Sequence, residues 1–574
     1  MASDIISLKD VTFSYKGSKR RALDGITLNV KQGECVAILG PTGAGKSTLA
    51  CVMNGTAPRF MDGSLAGDVT VDGLVPAKVG TAQMASRVGL VFGDPDTQLF
   101  GMTVEEDVAF GPANLGLGYE SIMERVGKSI GDMRLAGLER RAPHRLSGGQ
   151  KQATAIAGVY AMLPKIMVLD EPTSMLDPEG KARVFGIVRM LKEQLGVTVV
   201  LIEQEVDDIL TLADRVFVMR SGKFVLSGTP REVFGRVEEL RQAGVRVPQI
   251  VEFGTLIGAA ETPFTIEEAI SAAPASASVN EAATPAAAPR ASRAAQADPV
   301  VEAVDVEFTY PGGARALDGV NVTVGRGDFV AIVGQNGAGK TTLTRHFNGL
   351  LRPSSGDIRV LGLSAQGVPT IELCRHVGYV FQNPDEQLFC TSVQEELRFG
   401  PTNIGVDPHV TSQRVEEILG DIGLTKYREV WPKYLTKGER QRLALASVVA
   451  MDPDVLIVDE PTTGLDWVES LQILDYLERL RKEQKKTIII ITHDMNIVSL
   501  YAKRVVVMAR GRVVGDGTAR EVFSQPDLMQ LACLRRPPIA DLSQALWGEV
   551  LLTPAEAAAR LLAAKSQAAG VCSE

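Results

Sequence analysis

Gly40-Pro41-Thr42-Gly43-Ala44-Gly45-Lys46-Ser47-Thr48 decides how this chain folds. An apolar run, residues 34–39, leads into it, and residues of good helical propensity follow from Lys46. Three glycines at this spacing let backbone N–H groups close around an anion, and the following helix N-terminus adds a favourable dipole. The lysine and hydroxyl after the third glycine suit the β- and γ-phosphates of a nucleoside triphosphate and its Mg2+. Alone, the stretch could be a plain glycine-rich turn. It returns as Gly334-Gln335-Asn336-Gly337-Ala338-Gly339-Lys340-Thr341-Thr342, again after an apolar run (residues 328–333) and before a helical segment, which removes the plainer reading.

The recurrence extends outward. VTFSYKG (residues 11–17) answers VEFTYPG (306–312), and ALDGITLNVKQGECVAIL answers ALDGVNVTVGRGDFVAIV. Two copies of one domain are therefore expected, at 1–235 and 300–522. Residues 271–299 are mostly Ala, Pro and Ser without apolar period, which predicts a flexible tether. Each copy carries a tail, 236–270 and 523–574, containing a T-x-x-E-A segment that reads as helical. Later in each copy IMVLD (166–170) or VLIVD (455–459) reads as a second buried strand ending in a carboxylate. Strands alternating with helices predict an α/β fold with a mostly parallel sheet and ligands at the carboxyl ends of the strands. Asp170 and Asp459 are placed to hold Mg2+ with Ser47 and Thr341, and Glu171 and Glu460 to polarise an attacking water.

Composition narrows the partners. The chain has 574 residues with 22% charged residues and a formal net charge of -9, which speaks against nucleic acid. Its six cysteines are scattered without a C-x-x-C pair, so they read as thiols and not as a metal site or disulfide framework. The start, MASDIISLKD, lacks the apolar core of a signal peptide, and no stretch reaches 18 uncharged apolar residues. The expectation is a cytoplasmic protein with no transmembrane segment of its own.

Leu146-Ser147-Gly148-Gly149-Gln150, between the phosphate loop and Asp170, completes a pattern that resembles the ATP-binding cassette superfamily. The resemblance covers most of each copy. It implies two P-loop domains in tandem, each with a mostly parallel core, an antiparallel β subdomain and a helical signature subdomain. It further implies ATP hydrolysis with Mg2+, at two sites formed as the cassettes close head to tail into an intramolecular dimer. Ser147, Gly148, Gly149 and Gln150 would face a γ-phosphate bound by the other cassette. Tyr15 and Tyr310 match the aromatic that stacks on adenine, although strand packing alone would also account for them. Residues 91–117 and 380–406 resemble more narrowly the ATPases of energy-coupling factor importers. That likeness implies a transmembrane coupling subunit and a substrate-capturing membrane subunit on other chains, a place at the cytoplasmic face of the membrane, and a vitamin or metal ion as cargo. Asp94, Asp96, Asp385 and Glu386 would lie near the coupling helices, unless they form only a solvated turn.

The copies differ where the chemistry is most demanding. VFGDPD faces VFQNPD, so Gly93 stands opposite Gln382, which in the family contacts Mg2+ and the attacking water. Gln98 already pairs with Gln387 and cannot replace it. VVLIEQEVDD faces IIIITHDMNI, so Gln204 stands opposite the switch histidine His493; the first copy's single histidine is His144, beside the signature. The second signature reads Leu435-Thr436-Lys437-Gly438-Glu439, keeping a hydroxyl at Thr436 and the glycine at Gly438. Assembled head to tail, every departure falls in one site. The expectation is that the site with Lys340, Gln382, Asp459, Glu460 and His493 hydrolyses most of the ATP. Firing at both sites stays open, because Glu171 is present. The rival class is a soluble tandem-cassette factor of translation or repair without a membrane partner. Its usual charged helical linker or cysteine clusters do not occur in this sequence.

Overall fold

A computed structural model of the chain describes residues 4–174, 176–273 and 298–571. They fall into two compact units. The first runs to Glu252 and takes in Asp466–Val468; the second comprises Phe253–Leu465 and the chain from Glu469. The expected tether lies almost wholly at residues 274–297, outside the described residues, as does Cys572. The other five cysteines are free thiols.

The six-stranded sheet of the first cassette orders Val88–Val91, Ile166–Asp170, Thr198–Ile202, Cys35–Leu39, Arg215–Arg220 and Lys223–Gly228. The first five strands run parallel and the last antiparallel. The second cassette repeats this order with Val377–Val380, Val455–Asp459, Thr487–Ile491, Phe329–Val333, Arg504–Ala509 and Arg512–Gly517. CVAIL, IMVLD and TVVLI are buried at every position, as are FVAIV, VLIVD and TIIII. Continuous apolar runs suit parallel strands covered on both faces. Each cassette also has an antiparallel sheet, Leu23–Lys31, Asp4–Tyr15 and Gly63–Val71 in the first copy. In the second, Arg315–Gly325, Pro299–Thr309, Ser355–Val360 and Leu363–Ser364 form its counterpart.

Because the core strands are parallel, the loops after Leu39, Asp170 and Ile202 emerge at one edge of one sheet. The switch strand Thr198–Ile202 lies between the phosphate-loop strand and the strand ending in Asp170. That placement brings residues far apart in sequence to a single site.

The signature helices begin at Gly148 and Lys437 and run to Tyr160 and Val449. Both start on a reciprocal cap. Ser147 accepts from the Gln150 backbone while Gln150 accepts from the Ser147 backbone; Thr436 and Glu439 do the same. The T-x-x-E-A segments are helical, at Ile266–Ala272 and Pro554–Val571. Ile266–Ala272 packs against Pro538–Trp547 within the second unit.

Gly89 and Gly378 show how tightly the signature helix lies on its sheet. A Cβ at Gly89 would come 2.2 Å from Val159 Cγ1, and one at Gly378 would come 2.3 Å from Val448 Cγ1. Valine is stiff about χ1, so the helix itself would have to move. Gly378→Ala should therefore cost about 1–3 kcal/mol, read as a drop of several degrees in the melting midpoint of the second cassette. An unchanged midpoint would mean the helix can shift freely.

Candidate functional site

Each phosphate loop is shaped by its own lysine. Lys46 Nζ donates to the Gly40 and Pro41 carbonyls at 2.7 and 3.0 Å, and Lys340 Nζ to Gly334 and Gln335 at 2.8 and 3.0 Å. Both lysines are buried. The turn requires glycine at two points. Gly40 has φ 145, and a Cβ there would lie 2.2 Å from the Met219 carbonyl oxygen; Gly45 has φ 108, with the Ala22 oxygen at 2.3 Å. Gly334 and Gly339 meet the same limits against Met508 and Ala316. Thr42, Gly43 and Ala44, like Asn336, Gly337 and Ala338, complete the two loops.

Tyr15 and Tyr310 sit edge-on to Phe13 and Phe308. Their hydroxyls share hydrogen bonds with Thr48 Oγ1 at 2.9 Å and Thr342 Oγ1 at 3.0 Å. The threonine next to each Mg2+-type hydroxyl thus anchors an exposed aromatic ring beside the loop, where an adenine base could stack.

Asp170 is buried, bonded to the Ser47 hydroxyl, and burial raises its carboxyl to about 6. Its Oδ1 is buried without a hydrogen-bond partner among the described residues. A buried acceptor left open beside a hydroxyl fits a hydrated divalent cation. Asp459 is also pushed up by burial, but its Oδ2 accepts from Thr341 Oγ1 at 2.9 Å and from the Tyr379 hydroxyl at 3.0 Å. Leu90 stands where Tyr379 does, so this second donor belongs to the second cassette alone. Sequence reading missed Tyr379, because a tyrosine in an apolar strand looks like core.

Glu171 and Glu460 follow their aspartates with φ 51 and 48, a left-handed turn that lifts each from its strand toward the switch loop. His493 Nδ1 lies 2.9 Å from Glu460 Oε1. In the first cassette Gln204 Nε2 donates to Glu171 Oε1 at 2.8 Å. Gln204 thus makes the histidine's bond to the glutamate. Lys46 Nζ adds an ion pair to Glu171 at 3.6 Å.

The Gly93 difference is more severe. A Cβ at Gly93 would stand 2.7 Å from the Glu171 carbonyl oxygen and 3.1 Å from Ser174 Oγ. Gln382, its counterpart, is exposed in the loop just beyond its strand. Gln98 and Gln387 are equivalent, as their alignment requires. Gln98 Oε1 accepts from Phe92 N and Gln387 Oε1 from Phe381 N, each fastening the loop that follows the edge strand. His144 is exposed in the turn Pro143–Arg145 ahead of the signature helix.

The acidic turn is partly engaged within its own cassette. Asp96 pairs with Lys151 at 2.7 Å and Asp385 with Arg440 at 2.9 Å, both bases lying on the signature helices. Asp94 instead caps its turn, accepting from Asp96 N at 3.0 Å. Asp96 and Asp385 remain 64% and 56% exposed at their side chains, so a partner's basic group could still compete for them.

Two phosphate loops, each at the carboxyl edge of a mostly parallel sheet beside an acid pair and a switch residue, define a tandem P-loop nucleotide hydrolase. The family model described as ABC transporter matches residues 23–174 and 317–463. A protein of Caldanaerobacter subterraneus subsp. tengcongensis named as an ABC transporter ATP-binding protein is 40% identical, over 96% of this chain and 98% of its own. One of the same name from Methanosarcina acetivorans is 40% identical over 94% of this chain and 90% of its own. The solved structure titled cbiO1 from Clostridium perfringens, part of the ABC transporter complex cbiONQ, is 38% identical with a TM-score of 0.38. It covers 43% of this chain and 99% of that one. The chain belongs to the ABC transporter family of ATP-hydrolysing cassettes.

The crowding around Gly93 generates a prediction. Gly93→Gln restores the residue type of the second cassette but should not restore its chemistry, because the Glu171 backbone must first move. In a Glu460→Gln background, ATP turnover should fall, and the melting midpoint should drop by the equivalent of about 1–3 kcal/mol. A gain in turnover would show that the loop adapts.

Proposed function

We propose that this ATPase energises an importer of the energy-coupling factor kind, whose membrane-spanning subunits are separate chains. No helix among the described residues is long and apolar enough to cross a membrane. The observation that carries the reading is a matched pair of exposed aromatic clusters in the two segments that resemble such ATPases. Phe100 and Phe110 pack edge to face at 4.3 Å, Phe389 and Phe399 at 4.7 Å. These rings are 46–62% exposed, next to the loops after the edge strands. Paired exposed apolar patches on a water-soluble surface mark interaction sites. Coupling helices of a membrane subunit are the occupants proposed, holding the chain at the cytoplasmic face. The cargo, a vitamin or metal ion, follows from the sequence resemblance.

ATP is proposed to bind at two head-to-tail interfaces, each phosphate loop meeting the signature of the other cassette. Ser147, Gly148 and Gly149 would complete the pocket of Lys340, while Thr436 and Gly438 would complete that of Lys46. Mg2+ would be held by Ser47 and Asp170 in one site and by Thr341, Asp459 and Gln382 in the other; when bound, it offsets charge on the β- and γ-phosphates. Glu460 orients the attacking water and accepts its proton, and His493 holds Glu460 in place. The site with Lys340, Gln382, Glu460 and His493 has every expected group and the unaltered signature, so it is proposed to carry most of the turnover. The site with Gly93 and Gln204 mainly binds ATP.

Two measurements test this. Glu460→Gln should reduce steady-state ATPase roughly a hundredfold or more, and Glu171→Gln much less; equal losses would end the asymmetry. Affinity capture of the full chain from solubilised membranes should retain a polytopic membrane protein, and Phe389→Asp with Phe100→Asp should release it. Capture of ribosomes or DNA instead would favour the soluble-factor class.

A further inference from the structure

The switch loop of the first cassette carries a second departure that the function above does not use. Where the second copy reads Thr492-His493, the first reads Glu203-Gln204. Glu203 is 2% exposed, an unusual burial for a carboxylate. Its Oε1 accepts from Thr173 N at 3.1 Å and from Thr173 Oγ1 at 2.5 Å, and its Oε2 accepts from Gln204 N at 2.9 Å. Thr173 belongs to the turn Glu171-Pro172-Thr173. One carboxylate therefore ties down both backbones that meet in the Gln204–Glu171 bond. Thr492, its counterpart, makes a local bond instead, accepting from Asp494 N at 3.0 Å.

The need for such a clamp follows from the residue it serves. A histidine reaches its glutamate through two rotatable bonds and a rigid ring. A glutamine needs three, and each extra rotor that must be fixed costs free energy. Pinning the Gln204 backbone and the Glu171 turn to one group removes freedom that the longer amide would otherwise introduce. Glu203 is too deep to touch nucleotide itself, so its action runs through Glu171.

We propose that Glu203 is a positioning residue of the first nucleotide site, a buried clamp that lets Gln204 stand in for a switch histidine and keeps Glu171 competent for slow ATP turnover. The proposal rests on the reading that this cassette binds ATP. It is independent of the membrane partner and of the cargo.

Protonation supplies a readout that a purely structural role would not give. Burial raises the Glu203 carboxyl to about 7. Glu171 and Glu205 push it the same way, while Thr173 and the Gln204 N–H oppose them. The cations nearby are engaged with those neighbours, Lys181 with Glu205 and Lys46 with Glu171. The clamp as described needs an acceptor-only carboxylate for its three donors, so it is complete above this pKa and loses an acceptor below it. The stability linkage has the opposite sign. A carboxyl whose folded pKa is raised favours the folded state at low pH, and that contribution fades as pH rises toward 7.

The test uses the full chain with Glu460→Gln, so that residual turnover reports the first cassette. Glu203→Gln keeps the size and one acceptor but turns an N–H donor toward Gln204 N. It should lower kcat about tenfold with KM for ATP within twofold, and abolish a rise in rate with pH centred near 7. Glu203→Thr should impair turnover similarly, and Glu203→Thr with Gln204→His, the pair of the second copy, should recover most of it. The melting midpoint of Glu203→Gln relative to its parent should climb between pH 5 and pH 8, which separates loss of function from misfolding. Residual turnover no higher than that of Glu171→Gln with Glu460→Gln would overturn the proposal while leaving the second-site assignment standing. So would a kcat and pH profile unchanged by Glu203→Gln.

Discussion

A buried ammonium organises each half of this protein. Lys46 and Lys340 are placed by the first turn of a helix where little water reaches, and a charge so placed must find oxygen. Each finds it in two carbonyls of the loop that precedes it. For those carbonyls to point inward the loop must turn through left-handed conformations, which only glycine adopts cheaply. The loop must also press against the backbone at Met219 or Met508 so closely that no side chain fits. The anion cradle, the neighbouring strand and the helix start are consequences of one constraint. Asp170, Asp459 and the switch residues come to the same place because the strands that carry them are parallel neighbours in that sheet.

On this shared scaffold the two copies solve one problem differently. The second holds Asp459 with two neutral donors, Thr341 and Tyr379, and holds Glu460 with an imidazole. The first has Leu90 in place of the tyrosine and an amide in place of the imidazole, and adds a buried carboxylate behind the amide. None of these exchanges disturbs the strand order, since Leu90 and Tyr379 keep the same ladder position and the rest lie in the turns beyond strands. A parallel sheet fixes where its carboxyl edge is, and leaves the chemistry of that edge free to diverge.

Much of the architecture could be read without coordinates. Two phosphate loops in identical settings, two apolar strands ending in Asp-Glu and one unaltered signature are local patterns whose physics is written in adjacent residues. The strands, the helical T-x-x-E-A segments and the equivalence of Gln98 with Gln387 followed the same logic. A reciprocal cap draws Gly148 into the first turn of the signature helix despite glycine's poor helical preference. Tyr379 was hidden by its apolar neighbours, and Glu203 by Gln204, whose departure from histidine drew attention away from the residue before it.

The division has a physical cause. Residue type and spacing determined everything that acts within a few bonds: the glycines of the loops, the lysine and hydroxyl after them, the carboxylates that end strands, the duplication itself. Contacts across the sheet edge were decided only when the chain folded. Gly93 reads in sequence as a lost glutamine, yet glycine is obligatory there because the Glu171 carbonyl fills the space a Cβ would need. Gln204 reads as a lost histidine, yet it makes that residue's bond to the glutamate. Distances between residues thirty or more apart depend on how strands pack, and packing is a property of the whole core, not of any short stretch of sequence.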